Sequence, residues 1–293
     1  MKPTARGSSA FLTLRRDREG VSGVVAASLG VVLISVLLGM IVTFWVPAWG
    51  YDTETAHSRD VVNAFGQFKS AIELQTLSGN TNQTLGTSFP LGVGGVPLFG
   101  AENSGQLTYQ YLEGGHLRFS LNLTDSSGQV NLSAAGSLAY SMPNRYYVHQ
   151  DMAYESGAVI VAQQDGQTVR MPPAFRFVNG TQGVEAFLTL VSMEGTQTVV
   201  TGVDSRSVSS RLTLAQTISF AWPSSTNVSI NVSSAYLGAW SSYFTQAMNA
   251  SSIDASSFNV SFFPPAAPQS TTLRLSGVRS LSVTVSLVQV RID

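Results

Sequence analysis

The sequence predicts an α+β protein: a long N-terminal membrane helix followed by an extracellular antiparallel β-sandwich with one inserted helix. Three observations carry this expectation. Residues 20–51 contain no Asp, Glu, Lys, Arg or His, and a helix crosses the ~30 Å hydrocarbon core with about 20 apolar residues. From about Leu85 the hydrophobic period changes from helical to alternating, with turn residues between short runs, the pattern of many short strands. One later stretch, residues 235–248, returns to helical spacing.

In chain order, residues 1–20 form a short basic leader, with Lys2, Arg6, Arg15, Arg16 and Arg18 against Asp17 and Glu19. Residues 21–47 are the span. The removable h-region of a secretory signal is about 7–15 residues, shorter than this run, so the segment is expected to stay with the protein. The first basic residues beyond it are Arg59 and Lys69. Lys and Arg accumulate on the cytoplasmic side, which predicts a single pass with the N-terminus inside and the rest of the chain outside. Phe44, Trp45, Trp49 and Tyr51 sit at the outer end, where amphipathic rings favour the headgroup layer.

Pro47 and Gly50 are expected to end or kink the helix, with Asp52 capping a second, juxtamembrane helix over residues 48–80. In that helix Val61, Phe65, Phe68 and Ile72 recur at spacings of four, three and four, one apolar face of a surface helix. The face has two available partners, the chain's own sheet or a neighbouring subunit, and the sheet is favoured. Ser78-Gly79-Asn80 marks the stop. Residues 81–293 form the β-rich region. Strands are expected over 116–123, 157–162, 184–193, 212–222, 227–232 and 280–290, by alternation or β-branched content. Leu237, Trp240, Phe244 and Met248, spaced three, four and four, give the inserted helix.

Composition narrows the function. The chain of 293 residues is only 11% charged, against roughly 25% in ordinary soluble domains. Five of its 16 basic residues but only two of its 17 acidic ones fall in the first twenty positions. The remainder is therefore mildly acidic, with no basic patch for a nucleic acid. There is no cysteine, so the outer region must be stabilised by core burial rather than disulfides.

Catalytic chemistry is not expected. His57, His116 and His149 are the only histidines, and no pair has metal-ligand spacing. The chain has neither a Gly-x-Ser-x-Gly elbow nor Ser-x-x-Lys. Gly92-Val-Gly-Gly-Val-Pro97 lacks the third glycine of a dinucleotide loop, and reads as a flexible connection. No cofactor and no metal are expected. Eight Asn-x-Ser/Thr triplets, at Asn82, Asn122, Asn131, Asn179, Asn227, Asn231, Asn249 and Asn259, all fall beyond the span and are candidate glycosylation acceptors. Within the span Ser22, Ala26 and Gly30 repeat every four residues, as do Ser35 and Gly39. Small residues at this spacing let helices approach closely in lipid.

Arg15-Arg-Asp-Arg-Glu-Gly20 followed by Val21-Ser-Gly-Val-Val-Ala-Ala27 resembles the N-terminus of archaeal type IV pilin-like proteins. The resemblance implies cleavage of the leader by a prepilin peptidase-like enzyme on the cytoplasmic side. Gly20 would be the last leader residue, Val21 the first mature one and Ser22 the family's serine two places in. It also implies partnership with other pilin-like subunits through the apolar helix. Gly23 stands where many archaeal members have Pro, and Val25 where bacterial pilins carry Glu. Asn144-Arg-Tyr-Tyr147, Tyr154-Glu-Ser-Gly-Ala-Val-Ile160 and Trp240-Ser-Ser-Tyr-Phe244 are also similar to segments of large archaeal surface proteins with this N-terminus. The implied role is a structural or accessory subunit of a surface filament. Two rivals stay open: a monomeric anchored binding or adhesion module using aromatics such as Trp222 or Tyr146, and an anchored extracellular hydrolase.

Overall fold

The computed structural model describes residues 10–95, 100–111, 118–125, 128–263 and 270–293. Helix α1 (Ala10–Met40) passes through one π-helical turn, Ile41–Trp45, into α2 (Val46–Ser78). Then follow β1 (Thr84–Pro90), β2 (Gly105–Gln110), β3 (Arg118–Asp125), β4 (Gly128–Ala135), β5 (Ser137–Met142), β6 (Gln150–Glu155) and β7 (Ala158–Gln163). After these come β8 (Gly166–Met171), β9 (Phe175–Gly180), β10 (Gly183–Glu194), β11 (Thr198–Gly202) and β12 (Ser205–Ser233). Helix α3 (Leu237–Ala250), β13 (Phe258–Phe263) and β14 (Ser270–Ile292) complete the order.

The helix does not break at Pro47, and Asp52 lies inside it rather than capping a new one. The reason is local. Proline has no N–H to donate and its ring crowds the preceding turn. The turn just before it widens, so that the Val46 N–H bonds the Ile41 carbonyl five residues back. One extra residue in that turn absorbs the misfit, and Pro47 then occupies the first turn of α2. The result is an unbroken helical rod, of which Ser22–Ser78 spans 57 residues and is the one described helix long and apolar enough to cross a membrane. The rod ends where the sequence indicates: Gly79, at φ +62°, donates its N–H to the Gln75 carbonyl at 3.0 Å, a left-handed glycine cap.

The β-rich domain contains two sheets. The larger has the order β4-β3-β12-β14-β10-β9, with β1 also paired to β12 and β13 to β14; the smaller runs β11-β2-β5-β6-β7-β8. Among the described residues pairing is antiparallel with one exception. β10 and β14 run parallel, from Val184 opposite Val278 to Glu194 opposite Gln289. A parallel neighbour needs a long crossover, and the chain between them supplies one containing β11, β12, α3 and β13. The runs expected at 212–222 and 227–232 are one continuous strand, β12, with a register irregularity between Ala221 and Thr226. Of the run expected at 116–123, β3 contains residues 118–123; His116 and Leu117 lie outside the described residues.

Each helix inside the domain has its own core. The expected stripe of α2 is buried: Val61, Phe65, Phe68 and Ile72 are each 0% exposed. It packs with Phe89 of β1, Tyr154 of β6 and Val208 of β12, so the chain's own strands cover it. Ring centroids of Phe65 and Phe89 lie 5.0 Å apart and those of Phe68 and Tyr154 5.2 Å, both edge to face, the favoured aromatic geometry. The second core surrounds α3, whose Leu237, Trp240, Phe244 and Met248 are all buried against Phe119, Ile230 and Leu273 of the larger sheet and Ile160 of the smaller.

Candidate functional site

The helix–domain junction holds the most specific polar geometry in the described residues. It begins with Glu54 on α2, 4% exposed. Most buried positions of α2 are apolar or small, so a carboxylate there needs compensation. Three successive backbone N–H groups of loop 143–149 supply it: Arg145 donates to Oε1 at 2.9 Å, and Tyr146 and Tyr147 donate to Oε2 at 2.8 and 2.6 Å. Asn103 Nδ2 lies 3.5 Å from Oε1 and donates to the Pro143 carbonyl at 2.7 Å, tying loop 100–103 to the same point. Consecutive N–H groups converging on one anion form a backbone nest. The negative charge here belongs to the chain itself.

One turn below Glu54, Gly50 lets the loop close on the helix. A Cβ built on Gly50 would stand 2.1 Å from Tyr146 Cδ2, so only glycine admits the ring. Beside it the Tyr51 and Tyr147 rings meet edge to face at 5.4 Å. One turn above, His57 Nε2 lies 2.7 Å from Tyr140 Oη, which itself donates to the Leu91 carbonyl at 2.6 Å. That leaves the imidazole N–H as donor to the tyrosine. Burial lowers the His57 pKa, and the nearby Asp60 carboxylate opposes the shift only in part, so the ring is neutral in this contact. Ser58 Oγ donates to Gln150 Oε1. Higher still, Lys69 Nζ donates to the Gly157 carbonyl at 2.8 Å and pairs with Glu73, and Gln75 Nε2 donates to the Ser210 carbonyl at 2.9 Å. Polar clamps thus flank the apolar stripe of α2 along its length.

A second buried carboxylate, Glu155, ends β6. It accepts from Ser234 Oγ at 2.7 Å and Trp240 Nε1 at 2.9 Å. Desolvation raises its pKa to about 7, with the hydrogen bonds from Trp240, Ser234 and Ser137 pulling the other way. It ties α3 to the smaller sheet.

Among the described residues no three His, Asp or Glu side chains gather as a metal site. His57 and His149 make separate contacts, the latter with the Met142 carbonyl at 2.9 Å; His116 lies outside the described residues. Of the Gly-rich stretch, residues 92–95 are described: Val93 and Asn103 exchange N–H···O bonds at 2.8 and 2.9 Å, so the connection is pinned at that point. A groove of about 710 Å³ runs between α2 and the β7–β8 hairpin, with Arg59, Asn63, Gln163, Asp165 and Arg170 among its walls. The two aromatics named as contacts for the rival binding module, for which core packing is the favoured role, are engaged in packing. Tyr146 covers Gly50. Trp222 stacks on Phe220 at 5.9 Å with an interplanar angle of 4°, and both pack against the core around α3.

The Gly20–Val21 bond falls within α1, and the side chains there lie outside the described residues. Ser22, Ala26, Ser35 and Gly39 are exposed and Gly30 is half-buried. At about 100° per residue, Ser22, Ala26 and Gly30 share one face, while Ser35 and Gly39 lie on the opposite one. The Ser35 hydroxyl is satisfied by the Val31 carbonyl at 2.8 Å. Of the Asn-x-Ser/Thr positions, Asn82, Asn131, Asn179, Asn227, Asn249 and Asn259 are exposed. Asn231 is half-buried and accepts from Thr272 Oγ1 at 2.6 Å, and the Asn122 side chain lies outside the described residues. Strand register places Asn122 opposite both Asn131 and Ser229, two residues beyond Asn227. Alternation along β4 and β12 then sets Asn131 and Asn227 on the face opposite Leu132 and Val228.

The profile of a family of unknown function (DUF7289) matches residues 105–291. The chain belongs to that family. The DUF7289 match runs from the start of β2 into the last residues of β14; α1, α2 and β1 precede it. No curated protein and no solved structure matches the chain. Sequence reasoning did not single out Glu54, whose partners lie 91 to 93 residues away. An uncompensated acidic residue on the flank of an apolar stripe was its one local signal.

Proposed function

We propose that this chain is a single-pass, membrane-inserted surface protein of pilin-like type, structural or accessory to a filament. Its N-terminus is cytoplasmic, and its β-rich domain is an extracellular sandwich. One observation carries the reading: an uncharged helix, with mean hydropathy 2.7 over 18 residues and none of that window buried, continues unbroken into a helix whose next turns are core. Such a rod transmits position from the bilayer to the β-rich domain without a hinge. Small-residue faces on opposite sides of the apolar segment suit packing against more than one neighbouring helix. The role is assembly rather than catalysis, no cofactor is required, and glycans on some exposed Asn-x-Ser/Thr sites suit a surface location.

The test is the composition of surface filaments sheared from the native host. The chain is expected in them as a stoichiometric component or at a fixed minor ratio. If it is found solely as monomers in the membrane fraction, the second reading takes over: an anchored binding module. The polar groove between α2 and the β7–β8 hairpin is the observation that favours it.

A further inference from the structure

The buried stripe of α2 does not stop at Glu54. It continues through Gly50 to Val46, which is 3% exposed, while Trp45 is 58% and Trp49 47% exposed. Val46 is the last residue of the apolar run, so burial along this face of the helix extends to the edge of the span. A hydrocarbon core of ~30 Å takes up about 20 residues at 1.5 Å rise, and residues 22–45 already exceed that. The turn from Val46 to Tyr51 therefore falls in the headgroup layer.

Loop 143–149 lies at that same height. Its Tyr146 ring covers Gly50, and its Tyr147 ring meets Tyr51. Arg145 is exposed, with its guanidinium 5.5 Å from the Tyr146 ring centroid, and Val148 is 49% exposed. The three N–H bonds to Glu54 hold the loop at a fixed height on the helix.

We propose that loop 143–149 is a membrane-interfacial foot of the β-rich domain, seated on the lipid headgroups around the chain's own span. Arg145 is placed to meet lipid phosphate oxygens, which a planar guanidinium binds in bidentate fashion. Tyr146 and Tyr147 join Trp49 and Tyr51 in one aromatic girdle, the side chains enriched at this depth. The foot gives the domain two attachments to the bilayer, which fix its tilt as well as its height. This inference rests on the membrane reading given above.

The absence of cysteine makes depth measurement direct. Full-length Val148→Cys, Phe44→Cys and Thr196→Cys variants are spin-labelled and reconstituted in vesicles of phosphatidylcholine with phosphatidylglycerol. Relative accessibility to oxygen and to a water-soluble nickel chelate then reports depth. Thr196 is exposed and lies in the turn beyond the end of β2 remote from Asn103, so its label reports water. The expected order places the Phe44 label in hydrocarbon, the Val148 label at the headgroup level and the Thr196 label in water. Adding Arg145→Gln to Val148→Cys should move that label toward the water value. A Val148 label as water-accessible as Thr196, with Phe44 still in hydrocarbon, overturns the foot and leaves the span intact. A Phe44 label in water overturns the membrane reading itself. Dipolar broadening of the Val148 label at low protein-to-lipid ratio, lost on dilution with unlabelled protein, overturns the foot in favour of contact with a second copy.

Discussion

Glu54 and Tyr146 hold each other across the junction between rod and domain. The Tyr146 N–H donates to Glu54 Oε2 at 2.8 Å, and the Tyr146 ring closes over Gly50 one turn below. A single loop residue thus reads two turns of the helix, one by hydrogen bond and one by shape. If the apolar segment is an anchor, this contact decides how the β-rich domain stands on it.

Removing the carboxylate should loosen that stance. In Glu54→Ala three backbone N–H groups lose a buried charged acceptor, a loss of about 3 kcal/mol by analogy with other hydrogen bonds to charged groups. The chemical-denaturation midpoint of the detergent-solubilised chain should fall accordingly. Glu54→Gln keeps one acceptor oxygen and should fall between the two. An unchanged midpoint in Glu54→Ala would mean that the nest contributes nothing.

Gly50→Ala tests the shape half of the contact. The new methyl would meet the Tyr146 ring at 2.1 Å, and overpacking of this kind costs about 1–3 kcal/mol. Alanine's better helix propensity returns about 1 kcal/mol. Net destabilisation is therefore expected in wild-type background, and net stabilisation when Tyr146→Ser has already removed the ring. A double-mutant cycle reads the coupling, and additivity within error would contradict the contact.

Glu155 should make stability depend on pH. Its folded pKa of about 7 lies above its ordinary value, so the folded state holds this proton more tightly than the unfolded chain. Its contribution is fully present below about pH 4.5 and is lost as pH rises through 7. His57, with a lowered pKa, works oppositely: its contribution is present above about 6.5 and is lost on acidification. Glu155→Gln removes the first term alone. The Tm difference between Glu155→Gln and wild type should be more favourable to the variant at pH 8 than at pH 5. Parallel Tm profiles across that window would refute the assignment.

The domain should fold without the apolar segment but not without α2. Phe65, Phe68 and Ile72 are wholly buried among the strands, and losing one buried aromatic alone costs about 3–5 kcal/mol. A fragment 52–293 is expected to be soluble with a sharp unfolding transition, whereas 81–293 should aggregate or lack one. Equal behaviour of the two would show that α2 is not part of the core.

Periodic features were legible in the sequence. The spacing of Val61, Phe65, Phe68 and Ile72 gave the buried face of α2, and that of Leu237, Trp240, Phe244 and Met248 gave α3. Both follow from one residue type facing one core. Features set by distant partners were not legible. Pro47 is a different case: it signals a break, yet a π turn just upstream absorbs it locally, with no residue type to announce it. The parallel pairing of β10 with β14 depends on how the intervening ribbon folds back. Glu54 draws its meaning from backbone groups, which carry no residue-type signature at all.

The most direct test of the central reading is the N-terminus of the mature protein, read by mass spectrometry on the membrane fraction of the native host. A pilin-like helix must shed its leader, because the cations Lys2, Arg6, Arg15, Arg16 and Arg18 would enter an apolar helix bundle only at large desolvation cost. The Gly20–Val21 bond proposed for cleavage lies inside α1, so cleavage there would require the helix to unwind locally around Gly20. The account predicts a mature chain beginning at Val21, and an unprocessed, heavier species for Gly20→Leu. Native protein that still carries residues 15–20 would contradict it and leave an ordinary anchored module.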